Sequence, residues 1–105
     1  MKAPSGQVFY AISDPTRREL LDLLTRREYS VNDLVGHFRV TQPAVSHHLR
    51  ILREAGLVKK RQQGRHRLYR LHGRPLREVY DWVAHYQRFW TEKLEMLGEH
   101  LRRNP

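Results

Sequence analysis

The stretch "TQPAVSHHLRILREAGLV", residues 41–58, decides how the rest of the chain is read. Thr41 is a helix-capping residue, and Pro43 falls in the first turn, where a missing N–H leaves no intrahelical bond unmade. Val45, His48, Leu49 and Leu52 recur at i, i+3, i+4 and i+7, the spacing of one buried helix face. Gln42, Pro43, Ser46, His47 and Arg50 fall on the opposite face, and no acid appears before Glu54. Gly56 stands where a helix ends in a left-handed residue. The adjacent His47 and His48 point about 100° apart on a helix and cannot share an ion within it. One histidine therefore faces inward and one outward.

Working toward the N-terminus, "YSVNDLVGHFRV" (29–40) carries Ser30 three residues before Asp33, a capping-box pattern with the shorter acid. Val31, Leu34, Val35 and Phe38 form its buried side. Gly36 inside this helix would cost about 1 kcal/mol relative to Ala, which suggests a close helix contact. Only "RVT" then separates the two helices, a short turn suited to helix-turn-helix packing. Before them, "SDPTRRELLDLLTRRE" (13–28) has Asp14 as cap, Pro15 at the first helical position and an inward stripe of Leu20, Leu21, Leu23 and Leu24. Val8, Phe9, Ala11 and Ile12 suggest a short first helix.

Toward the C-terminus, the short β-like runs "LVKKR" and "HRLYRL" flank "QQGR", in which Gly64 supplies the turn. This predicts a two-stranded hairpin with a basic tip and with Val58, Leu68 and Leu71 turned inward. "HGRP" breaks the chain before one long helix from Leu76 to about Arg102. Val79, Val83, Tyr86, Trp90, Leu94, Leu97 and Leu101 form one apolar stripe on it, and Trp82, Phe89 and Met96 a second. A small domain does not readily cover two stripes on a helix of about 40 Å, so one is expected on the domain and the other on a second copy.

The bulk numbers agree with a single small domain over 1–105. Twenty Lys and Arg against eleven Asp and Glu give a net charge of +9, the footprint of a polyanion-binding protein. The charge is one-sided: from Ala55 to Arg77 there are eight basic residues and no acid. Zero cysteines excludes disulfides, thiolate zinc sites and cysteine catalysis. No nucleophile–base arrangement and no glycine-rich phosphate loop is present, so the chain does not read as an enzyme. Without an apolar run of about 18 residues or a signal-peptide layout, it reads as cytoplasmic, with no membrane partner.

The order of elements is mainly α with a small β-hairpin wing (α+β), a winged helix-turn-helix: a helix-turn-helix over residues 30–55, a wing over 57–71, and a long C-terminal helix. "AISDPTRRELLDLL", "VNDLVGHFRVTQPAVSHHLRILREAGLV" and the wing "KKRQQGRHRLYRL" together resemble the ArsR/SmtB family of bacterial winged-helix repressors, over nearly the whole chain. The resemblance implies a homodimeric transcriptional regulator, usually a repressor, on an inverted-repeat operator of double-stranded DNA. It places dimerisation in segments 1–13 and 76–102, with Phe9, Val83, Tyr86, Trp90, Leu94 and Leu97 at the interface. It assigns DNA contact to Thr41, Gln42, Pro43, Ser46, His47 and Arg50 of the reading helix and to Arg61, Arg65 and Arg67 of the wing. The aromatic tail "HYQRFWTEKLEML" is similar to family members without established metal chemistry.

Departures from the family bear on sensing. Where arsenic- and lead-type members carry Cys-x-Cys, this chain reads Glu28-Tyr29-Ser30-Val31-Asn32-Asp33-Leu34, so that soft-metal site is absent. The zinc- and nickel-type spacing on the last helix is also absent. A metal-responsive alternative would need two last helices crossing antiparallel near residue 92 or 93. His85 of one copy and His100 of the other, helped by Asp81 or Glu99, would then take Ni²⁺ or Zn²⁺. A second alternative is a nonspecific architectural nucleic-acid binder. The polar reading helix argues against it, because phosphate-only binding would not need Gln, Ser and His there.

Overall fold

The computed structural model describes residues 3–103. Residues 1 and 2 of the expected dimerisation segment 1–13, and residues 104 and 105 of the expected domain 1–105, lie outside them. The chain begins with α1 (Gly6–Ile12), capped by Ser5, and α2 (Pro15–Leu24), in which Asp14 is the N-cap and Pro15 opens the first turn. The Asp14 carboxylate accepts from the Arg17 N–H at 3.1 Å. Leu20, Leu21 and Leu24 are buried, with Leu23 half-buried beside them.

A short strand follows, β1 (Tyr29–Ser30), which the sequence does not announce. It leads directly into α3 (Val31–Val35), whose N-cap Ser30 accepts from the Asp33 N–H at 3.2 Å. Two expectations are corrected here. The helix ends at Val35, with Gly36 as its C-cap, and the connection to the next helix runs from Gly36 to Thr41 rather than over "RVT" alone. A Cβ on Gly36 would meet only backbone carbonyls of Asp33 and Asn32, at 3.4 and 3.9 Å, so no close helix contact explains the glycine.

The stretch that set the reading forms α4 (Gln42–Glu54), with Thr41 as N-cap. Val45, Leu49 and Leu52 are buried, and His48 is half-buried on the same side. Gly56 adopts φ +79. Its N–H donates to Arg53 O and the Leu57 N–H donates to Leu52 O, both at 2.9 Å, closing the helix in a Schellman motif. Leu57 thereby drops into the core with Leu20, Leu34, Val45, Leu49 and Leu52.

β2 (Val58–Gln63) and β3 (His66–Leu71) form the hairpin, with Gly64 at φ +60 in the first of two loop positions, the requirement of a type II′ turn. The sheet is three-stranded and antiparallel in the order β1-β3-β2, pairing Tyr29 with Tyr69 and Ser30 with Leu68. Tyr69, not Leu68, is the buried residue of β3 beside Val58. Side chains alternate along a strand, so Leu68 stands on the face opposite Tyr69 and Leu71.

The expected single long helix is in fact two, α5 (Arg74–Ala84) and α6 (Gln87–Arg103). At the break the backbone ladder tightens, the Tyr86 N–H donating to Val83 O at 2.9 Å, and the next bond, Trp90 N–H to Tyr86 O, is long at 3.4 Å. The Tyr86 ring packs edge-on against Trp82 and His85. α5 is tied to the domain through Phe9 against Trp82 at 5.2 Å and through half-buried Leu76. No described residue of α6 is buried, so the expectation that one stripe packs on its own domain fails beyond Tyr86. Phe89, Trp90, Leu94, Met96, Leu97 and Leu101 are all exposed. No helix among the described residues is long and apolar enough to cross a membrane.

Candidate nucleic-acid interface

The outward face of α4 and the inner edge of the wing enclose an open groove of about 720 Å³. Gln42, Pro43, Ser46, His47, Arg50 and Arg53 line it from the helix, and Lys60, Arg65, His66, Arg67 and Tyr69 from the wing. Ser30, Val31 and Asn32 also line it. No acid is among the lining residues. The helix supplies short polar groups at its N-terminal half and arginines toward its C-terminal half. Such a face can meet base edges and phosphates in one pass along a major groove.

Local contacts stiffen this surface. The Arg50 guanidinium donates to His47 Nδ1 at 3.3 Å, which holds both side chains along the exposed face. Gln62 braces the wing tip by donating to Gly64 O at 2.9 Å. Arg53, with partial desolvation and Arg67, holds the Lys60 ammonium below its ordinary value. Cations crowded from α4, β2 and β3 without a carboxylate between them favour an anion in the groove.

Sequence reading assembled this set in part. Gln42, Pro43, Ser46, His47, Arg50, Arg65 and Arg67 are brought together. Thr41 caps the helix at the groove's edge, its hydroxyl accepting from the Ala44 N–H at 3.3 Å. Arg61 is not brought in: strand alternation turns it to the other face, where it donates to Glu28 Oε2 at 2.7 Å. That bond and the carboxylate's charge raise the Arg61 value further.

The bacterial regulatory protein, arsR family, signature covers residues 14–60, spanning α2 to the start of the wing. Over 81 residues the chain is 38% identical to the transcriptional repressor SdpR of Bacillus subtilis (strain 168), covering 77% of this chain and 90% of that one. The chain belongs to the arsR family. A crystal structure of an ArsR family transcriptional regulator superposes with a TM-score of 0.75 at 30% identity, covering 86% of this chain and 97% of that one. A homodimeric winged helix-turn-helix DNA-binding domain from Mycobacterium bovis, a possible ArsR-family regulator, matches at TM-score 0.62 and 29% identity, over 86% and 81% of the two chains. The winged helix-turn-helix architecture expected from the sequence is thus that of this ArsR-family chain.

Arg53, Lys60, His66 and Tyr69 were missed in the sequence. Arg53 follows Arg50 by three and Ser46 by seven, so helical spacing alone puts it on the reading face. Lys60, Arg67 and Tyr69 share a sheet face once the Lys60–Tyr69 register is known. The metal candidates are held apart in the single chain. Asp81 pairs with Arg77 at 2.9 Å and Glu99 with Arg103 at 3.4 Å. His85 caps α5 against Tyr86, and His100 lies in the last turn of α6. Among the described residues no group of three or more His, Asp or Glu is placed to hold a metal ion. The break at His85–Tyr86 also removes the straight rod that the antiparallel crossing assumed.

Two histidines are held below their ordinary value. Burial, then the charges of Arg17 and His47, lower the His48 value, against the pull of Asp14. Partial burial, then Lys59, Arg74 and Arg70, lower that of His72. A histidine whose folded value lies below the ordinary 6.5 binds its proton more readily when unfolded. Its contribution to stability is complete above that value and is lost as pH falls toward the folded one. The thermal midpoint should therefore drop by a few degrees as pH falls from about 7.5 to about 5.5, less so in His48→Asn. A midpoint unchanged across that range by circular dichroism would contradict it.

Proposed function

We propose that this ArsR-family protein is a homodimeric transcriptional repressor that binds an inverted-repeat operator, with α4 in the major groove and the wing on the flanking backbone. The acid-free groove between α4 and the wing carries this reading. Gln42, Ser46 and His47 are the base-reading residues; Arg50, Arg53, Lys60, Arg65 and Arg67 are the phosphate contacts. The relatives support it: SdpR is a transcriptional repressor, and the Mycobacterium bovis domain is homodimeric. The exposed apolar stripe running from the end of α5 along α6 is the surface a second copy would cover, with Val83, Tyr86, Trp90, Leu94 and Leu97 as its centre.

Selection from a random duplex pool tests the assignment of readers. The recovered sites should show two inverted half-sites about 34 Å apart, one helical turn. Gln42→Ala or Ser46→Ala should change the recovered half-site, each contact being worth about 1–3 kcal/mol of discrimination. Variants that recover the unchanged site with uniformly weaker binding would remove these residues from base reading.

A further inference from the structure

Arg17 is a buried arginine whose guanidinium bonds no carboxylate, Asp14 acting on it through charge alone. It is 5% exposed, and none of the ion pairs among the described residues includes it. Its Nε–H donates to Ala11 O at 2.8 Å and its Nη2 to Tyr10 O at 3.0 Å, both in the last turn of α1. The negative end of that helix adds to the charge of Asp14 in offsetting the guanidinium. The Tyr10 ring lies 4.9 Å from the guanidinium carbon. The remaining arm, Nη1, reaches His48 Nδ1 at 3.1 Å, on the inner side of α4.

A guanidinium can only donate, so His48 Nδ1 must accept and its proton must sit on Nε2. One buried side chain of α2 thus fastens the end of α1 to the middle of α4. We propose that Arg17 is a positioning residue for DNA recognition: through neutral His48 it sets the seat of α4, and protonation of His48 releases that seat and weakens operator binding. A proton on Nδ1 would remove the acceptor of Nη1 and set imidazolium against guanidinium in a half-buried site. The charged or titratable groups facing His48 are Arg17 and Asp14 of α2 and His47 of its own helix, with Tyr10 of α1 behind Arg17. Only the Asp14 carboxylate favours the proton, and it is already engaged by the Arg17 N–H.

The role rests on the DNA-binding reading, and its sign separates it from ordinary electrostatics. Protons taken up at a phosphate-binding face strengthen phosphate binding, whereas a proton on His48, behind that face, acts in the opposite sense. His48→Asn isolates the effect, because its Oδ1 takes the place of Nδ1 as an acceptor that does not titrate. At about pH 7.5 this variant should bind a pool-selected operator within about threefold of the parent, and at about pH 5.5 the parent should be about five- to tenfold weaker than the variant. Arg17→Lys, unable to bridge three acceptors, should be about tenfold weaker at the higher pH.

An affinity ratio between parent and His48→Asn that stays constant with pH would overturn the proposal. Imidazole ¹⁵N NMR of the folded protein supplies a readout without DNA: His48 should show the Nε2–H form with a midpoint below the ordinary 6.5, and Arg17→Lys should move that midpoint upward. An unmoved midpoint would overturn the contact itself. Failure of the parent to prefer any selected site over scrambled duplex would instead overturn the DNA-reading function, and the positioning role with it.

Discussion

Replacing Trp90 and Leu97 together by aspartate is expected to leave a monomer that has lost operator binding by about 10²-fold or more. The two side chains are 61% and 53% exposed in the single chain, on a helix with no buried residue. An aromatic ring and a leucine left in water at the centre of such a stripe are costly, and a second copy removes that cost. A carboxylate at each position would have to be desolvated on pairing, so association should fail rather than weaken slightly. The core of Leu20, Leu34, Leu49, Leu52 and Leu57 lies elsewhere, so loss of pairing need not abolish the fold of each domain. The loss on DNA follows from valency, since two half-sites held by one dimer benefit from a high effective concentration of the second contact. Sedimentation equilibrium beside an operator titration checks both parts. A variant that stays dimeric and binds as tightly as the parent would contradict the interface assignment.

Removing Arg50, Lys60 and Arg67 together, each by alanine, is expected to weaken binding by about 10²–10³-fold and to lower the salt slope by about 3. All three line the groove, from α4, β2 and β3, and none is engaged by an acid. Each phosphate neutralised releases counterions, so the loss should be nearly equal on every duplex and should shrink at high salt. Arg61→Ala is the internal control: Arg61 is spent on Glu28 and faces away from the groove, so its slope should match the parent. A triple variant with an unchanged slope, or an Arg61 variant with a reduced one, would move the phosphate track elsewhere.

How far the sequence alone carries these conclusions depends on the range of the signal. Caps are local: Asp14, Ser30, Thr41 and Gly56 each act within a few residues and could be read directly. The inward face of α4 was equally legible, since a 3.6-residue period runs through it. β1 was not, because two residues show no period and exist as a strand only through pairing with Tyr69 and Leu68. The break between α5 and α6 contains no glycine or proline, so the apolar spacing reads through it as one helix. Lys60 and Tyr69 join the groove through cross-strand register, and Arg17 meets His48 across 31 residues of chain. Such contacts are set by tertiary packing rather than by any local pattern.

Sequence-specific recognition by the groove is tested most directly by one competition titration at physiological salt. A pool-selected palindromic duplex is compared with the same duplex after its half-sites are scrambled. The groove's polar readers and its dimeric use predict a preference of about 10³-fold or more for the palindrome. Equal affinity for both would contradict it and leave a basic protein that holds DNA by its phosphates alone.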